Sequence, residues 1–455
     1  MKNKLLLVTV ILSVATLSSC KKFLDVQPKS AISADQYYKN DAQVGSGVVA
    51  CYDGLQSLYD IDFILTEIRS DNTTTLLHEG VYELIDHFKD GPSNSVIAQY
   101  WETSYNTIFR ANTVLANIDN VTDPVLKQEY KGEVLFIKAL NYFNLVRLFG
   151  DVPLVTKVIL QNDQSAFARV PSDIVYDTII SDLKAAANDL PISYPAIDLG
   201  QATKGAAVGM LAKVYLTLHR YSDALPLLQS LMNAPYNYSL MKNYYDVFYQ
   251  EMNQEILFAV RYKSNAAGEG ETFSGEMTAL GATVRGNNPT ANLLAAYDTS
   301  GVRYKVSVYN NGQNLVCGKY LSTAPLADGG NDWIVLRYAD ILLMYAEVTN
   351  EISGPTQAGL DAFNAIRTRA GLSTYTLSDF TQATFRQVIY KERRVELVFE
   401  DHRWFDLLRT GEVDSVMTAD GLQEGFTFQS YQALYPIPQR EIDVSNGNLT
   451  QNSGY

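Results

Sequence analysis

Cysteine, histidine and tryptophan are scarce in this chain of 455 residues, at three, four and three. After Cys20 only Cys51 and Cys317 remain. These allow one disulfide or two free buried thiols, but neither a disulfide framework nor a metal-spaced cluster. His78, His87, His219 and His402 form no i, i+4 pair and have no cysteine at metal spacing. No Gly-x-Ser-x-Gly elbow occurs, and Gly268 and Gly270 lack the third glycine of a dinucleotide loop. Lys/Arg-rich runs are missing too, and a formal charge of −14 repels nucleic acid and anionic membranes. Beyond the N-terminus, no apolar stretch approaches the roughly twenty residues of a membrane span.

What is present starts at the N-terminus. Met1-Lys2-Asn3-Lys4 is a basic lead, and Leu5 to Ala15 is an apolar stretch too short to span a bilayer comfortably. Leu17-Ser18-Ser19-Cys20 then offers small residues before a cysteine, the pattern that a bacterial lipoprotein signal peptidase cuts. Residues 1–19 read as a lipoprotein signal peptide. Cys20 reads as the lipidated new N-terminus, its acyl chains (palmitate among them) holding the protein at a membrane. Losing Lys2 and Lys4 moves the formal charge from −14 to −16.

Residues 20–40 read as an extended lead-in, since Pro28 discourages helix before it. The periodicity predicts helices over 94–118, 124–149, 172–190, 203–218 and 222–232, and again over 335–352, 356–370 and 382–400. Gly150 stops the second, Ser172 is the expected cap of the third, and Pro191 ends it. Trp101 falls on the apolar stripe of the first and is assigned to the core. Small residues at Gly205, Ala206, Ala207 and Ala212, followed by Tyr221 to Leu225, have the pattern of a tetratricopeptide unit, loosely repeated over 342–367. Between 263 and 334 Gly, Asn, Ser and Thr dominate, with 304–309 alternating like a strand. The tail from 410 to 455 reads as irregular, stiffened by Pro436 and Pro438.

Five segments share an order with a known family. They are residues 133–154, which include Phe149-Gly150-Asp151-Val152-Pro153; 337–347, opening Arg337-Tyr338-Ala339-Asp340; 364–372; 392–409, which include Phe399-Glu400-Asp401-His402-Arg403-Trp404; and 434–452, which include Tyr435-Pro436-Ile437-Pro438. With the Cys20 motif they run the length of the chain, which resembles the SusD/RagB family of surface nutrient-uptake lipoproteins. The resemblance implies a mainly α fold of tetratricopeptide-like helix pairs with an irregular, partly β loop-rich insertion. It implies one domain over 41–455: a helical scaffold at 41–262 and 335–409, the insertion at 263–334, and the tail. It also implies an outer-membrane protein facing the cell exterior, which binds oligosaccharide and passes it to a SusC-like TonB-dependent transporter. Peptide replaces oligosaccharide in the RagB branch. No catalysis, cofactor or metal is implied.

An enzyme reading has one candidate, Glu396, Glu400, Asp401 and His402. Arg393 and Arg403 stand three residues to either side of the glutamates, so a buried ion-pair network is the stronger reading. A surface glycan-degrading enzyme is thus disfavoured. Sugar binding needs aromatic faces for pyranose C–H groups and polar side chains for hydroxyls. The stretches that mix these types nominate Asp71, Asn72, His78, Tyr82, His87 and Phe88, then Arg285, Asn287 and Tyr309, and finally Trp333 ahead of the Arg337 helix.

Overall fold

The computed structural model describes residues 37–159, 164–278, 286–322, 324 and 328–455. The expected signal peptide, Cys20, most of the lead-in and Arg285 lie outside them. Helix α1 (Asp41–Tyr59) begins where the Asn40 side chain accepts the Gln43 N–H at 3.0 Å. α2 (Asp62–Thr66), β1 (Thr73–Thr74) and α3 (Val81–Asp86) follow, then α4 (Ser95–Ala116). α1 and α4 approach closely because Gly54 has no side chain; a Cβ there would sit 2.3 Å from Thr107 Oγ1. Trp101 is 4 % exposed, in the core. α5 (Pro124–Phe149) starts behind an Asp123 cap with proline in its first turn, and stops at Gly150, whose φ is 73°.

β2 (Val152–Pro153) pairs with β3 (Arg169–Val170) and leads into α6 (Ser172–Asp189). Here the expected cap fails. Pro171 holds the N-cap position, and the Ser172 N–H donates to Asp151 Oδ1 at 2.9 Å, so a distant carboxylate does the work. α7 (Lys204–Thr217) and α8 (Tyr221–Leu231) form the small-residue pair read from the sequence.

After α9 (Asp246–Tyr249) comes β4 (Ile256–Val260), which opens the insertion. It contains α10 (Phe273–Thr278), β5 (Asn288–Pro289), α11 (Ala291–Ala296), α12 (Val302–Ser307), β6 (Val308–Asn310) and β7 (Leu315–Cys317). β8 (Trp333–Arg337) closes it, pairing antiparallel with β4 from Ile256↔Arg337 to Val260↔Trp333. Both of these strands are buried at every position, so the insertion leaves and returns through the core. Neither strand is legible as one, because wholly buried strands lose the alternation that marks them. The strand expected over 304–309 is mostly the short helix α12, and only Val308–Asn310 is extended.

The scaffold resumes with α13 (Tyr338–Ser353), α14 (Gln357–Arg369) and α15 (Gln382–Glu396), then α16 (Arg403–Thr410). The tail is more regular than expected, holding α17 (Val413–Glu424) and α18 (Gln439–Val444). Helix pairs α5/α6, α7/α8 and α13/α14 stack side by side, with α8 against α13 although over a hundred residues separate them. Such stacking buries a continuous seam between neighbouring pairs. Gly209 lets the strand pair settle on α7; a Cβ there would meet Leu336 Cδ2 at 2.6 Å.

Candidate functional site

Two-residue strands carry the candidate site. β1 pairs antiparallel with β5, placing Thr73 opposite Pro289 and Thr74 opposite Asn288. Thr290 extends the join: its N–H donates to the Asn72 carbonyl at 2.9 Å and its hydroxyl to the Asp71 carbonyl at 2.8 Å. Asn288 Nδ2 donates to the Leu315 carbonyl at 2.9 Å, attaching the β6–β7 hairpin. α10 binds both sides. The Tyr82 hydroxyl donates to Glu276 Oε2 at 2.6 Å, and Asn311 Nδ2 to the Thr278 carbonyl at 3.4 Å. The nominated stretch 71–89 therefore meets residues 286–317, which include the nominated Asn287 and Tyr309.

Within this junction the nominated residues divide into floor and face. Asp71 and Asn72 are buried. Asp71 accepts from Arg403 Nε at 2.7 Å and Nη2 at 3.0 Å, with Arg394 Nη2 at 2.9 Å. Burial would raise its carboxyl, but these two guanidinium groups outweigh that and hold it low. Asn72 Oδ1 accepts from Arg394 Nε at 2.8 Å. Phe88 is also floor, at 4 % exposed, packed on Trp404, Phe426 and Phe428 with Arg69 over its ring at 4.1 Å. Asn287 is buried at φ 65°.

The face keeps His78, Tyr82, His87 and Tyr309. His78 is exposed and Tyr82 half-buried. The His87 ring stacks on Phe426 at 6.0 Å, and its Nδ1 lies 2.9 Å from Glu83 Oε1. Tyr309 is 37 % exposed on the hairpin. Trp333 belongs to neither group. It is 1 % exposed, stacked on Tyr320 at 5.0 Å and against Phe273 at 4.8 Å, so it is core and offers no platform.

Sequence reasoning missed two acids here. Asp86 Oδ2 accepts the Thr75 N–H at 2.9 Å and the Thr74 hydroxyl at 2.7 Å, fixing the strand it faces. Burial nevertheless pushes its carboxyl up. Asp420 is raised to about 7 by burial, then by Asp71, Glu424 and Asp86, against Arg394. Asp86 lay inside the nominated stretch; Asp420 sits on a helix in a tail read as irregular, where no local signal points back to residue 71.

The acid cluster on the fourth shared segment is structural. Glu396 accepts from Arg303 Nη1 at 2.9 Å and Arg337 Nη1 at 2.8 Å, and also pairs with Arg369. Glu400 pairs with Lys319 and with Arg337 Nε at 2.6 Å. The network is as expected but its partners are not: Arg393 pairs with Asp340 and Asp406, and Arg403 with Asp71. His402, driven down to about 3 by burial and by Lys213, is neutral. A cavity of about 720 Å³ opens elsewhere, by Asn243, Asn253 and Arg369. Asn253 Nδ2 already reaches three backbone carbonyls and Arg369 two carboxylates, leaving less for a ligand. Among the described residues no helix is long and apolar enough to cross a membrane.

Comparison with known proteins agrees with this architecture. The family described as "SusD family" matches residues 229–455, and the one described as "Starch-binding associating with outer membrane" matches residues 22–216. The chain belongs to the SusD family. It is 28 % identical to SusD-like protein P25 of Formosa agariphila, over 96 % of this chain and 97 % of that one. Surface glycan-binding protein A from Bacteroides thetaiotaomicron, solved with laminarihexaose, superposes with a TM-score of 0.79 at 21 % identity. That match covers 91 % of this SusD-family chain and 99 % of the other. A laminarin-binding SusD-like protein gives 0.79 at 24 %, over 92 % of this chain and all of its own.

Proposed function

We propose that this protein is a lipid-anchored receptor on the outer face of the outer membrane, which binds oligosaccharide and delivers it to a SusC-like TonB-dependent transporter without chemically changing it. The observation that carries the reading is the junction of β1 with β5. It brings the stretch that carries His78, Tyr82 and His87 against the stretch that carries Tyr309, beside a floor locked by Arg394 and Arg403 on Asp71. Rigid placement of ring faces beside polar groups is what shallow sugar recognition requires. The SusD-family membership and the laminarihexaose complex of a structural neighbour support glycan over peptide. The best acid–imidazole cluster, Glu396 to His402, is buried and ion-paired, which supports binding over catalysis. Cys20 supports the anchor, and a tether raises the effective concentration of receptor at the transporter mouth.

Titrating the soluble chain from residue 21 against a panel of oligosaccharides and peptides tests the reading. Binding to a glycan that is recovered unchanged is the expected result. Release of shorter products would replace the receptor by an enzyme. Cys20→Ala is expected to leave the fold intact, move the protein out of the membrane fraction and stop growth on the cargo.

A further inference from the structure

The turn between α15 and α16 is bent against its own preference. Phe399 and Asp401 stand at φ 65° and 60°, in the left-handed region that bulky side chains rarely occupy. What holds them there comes from α2 and the residue after it. The Thr66 hydroxyl donates to Asp401 Oδ1 at 2.6 Å, and the Asp401 N–H donates to Glu67 Oε1 at 3.0 Å. The Asp62 carboxyl lies within hydrogen-bonding reach of the Asp401 carboxyl. All three acids are buried, and no N–H or O–H donor bonds Asp62 Oδ1 or Asp401 Oδ2.

Cations do not account for these acids. A cavity of about 30 Å³ opens beside Asp62 and Asp401 and is lined by Arg147 and Lys213. Lys213 is taken by Asp340 at 3.1 Å, and Lys319, the other cation near, by Glu400. Arg147 gives Nε to the Phe143 carbonyl and Nη2 to Asn144 Oδ1, its guanidinium held over the rings of Phe143 and Phe405. It is the one uncommitted cation, against three carboxyls. The other titratable groups of the turn are engaged elsewhere, Glu400 with Lys319 and Arg337, His402 with Lys213. Tyr59 and Tyr100 face Asp62 as neutral hydroxyls, pushed up by burial. Two carboxyl groups hydrogen-bond to each other only when one carries a proton. In keeping with that, burial pushes Asp62 up, Asp401 further up and Glu67 to about 7.

We propose that Asp62 and Asp401 share one proton, and that this proton latches α2 to the strained turn. Once it leaves, two buried carboxylates repel across the contact and the turn relaxes. The pair binds its proton more tightly folded than unfolded, so the latch is closed at low pH and is lost as pH rises. Glu67 ionises on the way and adds a second charge beside Asp401. The same two segments run on into the floor of the β1–β5 junction, where Arg403 grips Asp71, so the floor loosens with the turn. The latch stands whether or not that junction binds glycan.

Hydrogen exchange of the chain from residue 21 tests the latch, read by mass spectrometry at about pH 6 and about pH 9 and corrected for the intrinsic pH dependence of exchange. A proton held only in the closed state makes opening up to about tenfold easier per pH unit. Amides of residues 60–72 and 398–403 are expected to open at least about a hundredfold more at the higher pH. There they should also open at least about tenfold more often than the core helix α13. Asp401→Asn keeps an acceptor for Thr66, offers Asp62 an N–H donor and tolerates the positive φ, but has no proton to lose. It is expected to cut the ratio between the two pH values at least about tenfold, and Asp62→Asn, which removes the same proton from the α2 side, to do likewise. A ratio that both variants leave unchanged overturns the shared proton. Exchange of the turn and of α13 at one common rate at the higher pH overturns the latch, because the turn would then open only with the whole fold.

Discussion

Arg337 grips Glu396 twice, donating from Nη1 to Oε1 at 2.8 Å and from Nη2 to the backbone carbonyl at 2.8 Å. Both residues are buried, and Arg337 reaches Glu255 and Glu400 as well. One guanidinium thus joins the root of the insertion to the end of α15. Removing one partner of a buried pair leaves the other charged and unsatisfied. Glu396→Gln is therefore expected to destabilise the fold by about 3–5 kcal/mol, read as a lower midpoint in chemical denaturation. Glycan affinity per folded molecule should hold, because Glu396 is wholly buried and is not itself exposed to a ligand.

The pH dependence of stability has two limbs. Burial raises Glu67 and Glu271 to about 7 and Glu133 to about 8. In the unfolded chain these groups titrate near about 4.3. Raised carboxyls bind more protons folded than unfolded, so their contribution is present at low pH and is lost as pH rises towards about 8. Glu396, Asp340 and Asp406 have the opposite sign, because their arginine and lysine partners overcome burial and hold them low. Their contribution is present above about pH 4 and is lost below it. Thermal midpoints should peak between about pH 4 and 6 and decline towards 8. Glu133→Gln, which keeps a partner for the Tyr52 hydroxyl, should flatten the decline; an unchanged slope would remove Glu133 from the account.

Local signals carried the helices. Pro124 at a first turn, Gly150 at an end and the small residues of α7 each act within a few positions of where they stand. Signals that need a partner distant in sequence did not carry. Glu396 has Arg393 three residues away, yet takes Arg303, Arg337 and Arg369, because the α15 face holding Glu396 is turned to the insertion root while Arg393 meets Asp340. At the candidate site, composition nominated two stretches that the fold brings together, but it did not give their depth. Asp71 and Phe88 have side chains suited to ligand, and only burial separates them from His78 and Tyr309. Trp333 read as a platform before a helix, but it is the first residue of a buried strand.

Both described cysteines are buried and free, and burial pushes each thiol up to about 12. A thiolate is the reactive form, so neither should react at neutral pH in the native protein. A colorimetric thiol reagent applied to the chain from residue 21 should titrate no thiol in buffer and two in denaturant. One fast native thiol would mean that α1 or β7 opens far more readily than its packing implies.

Tyr309 and Trp333 allow a direct comparison of face and floor. The Tyr309 ring is over a third exposed on a hairpin, so Tyr309→Ala removes a stacking surface and little packing. It is expected to weaken glycan binding about tenfold, or about 1.4 kcal/mol, with the thermal midpoint almost unchanged. Trp333→Ala instead empties a cavity between Tyr320 and Phe273 and should cost about 3–5 kcal/mol of stability. Because β8 roots the insertion that carries Tyr309, some loss of affinity should follow, but only in proportion to unfolded protein. Affinity corrected for folded fraction therefore separates the two: it falls for Tyr309→Ala and is retained for Trp333→Ala. The reverse pattern would move the sugar platform from the hairpin to the core edge and remove the β1–β5 junction as the binding face.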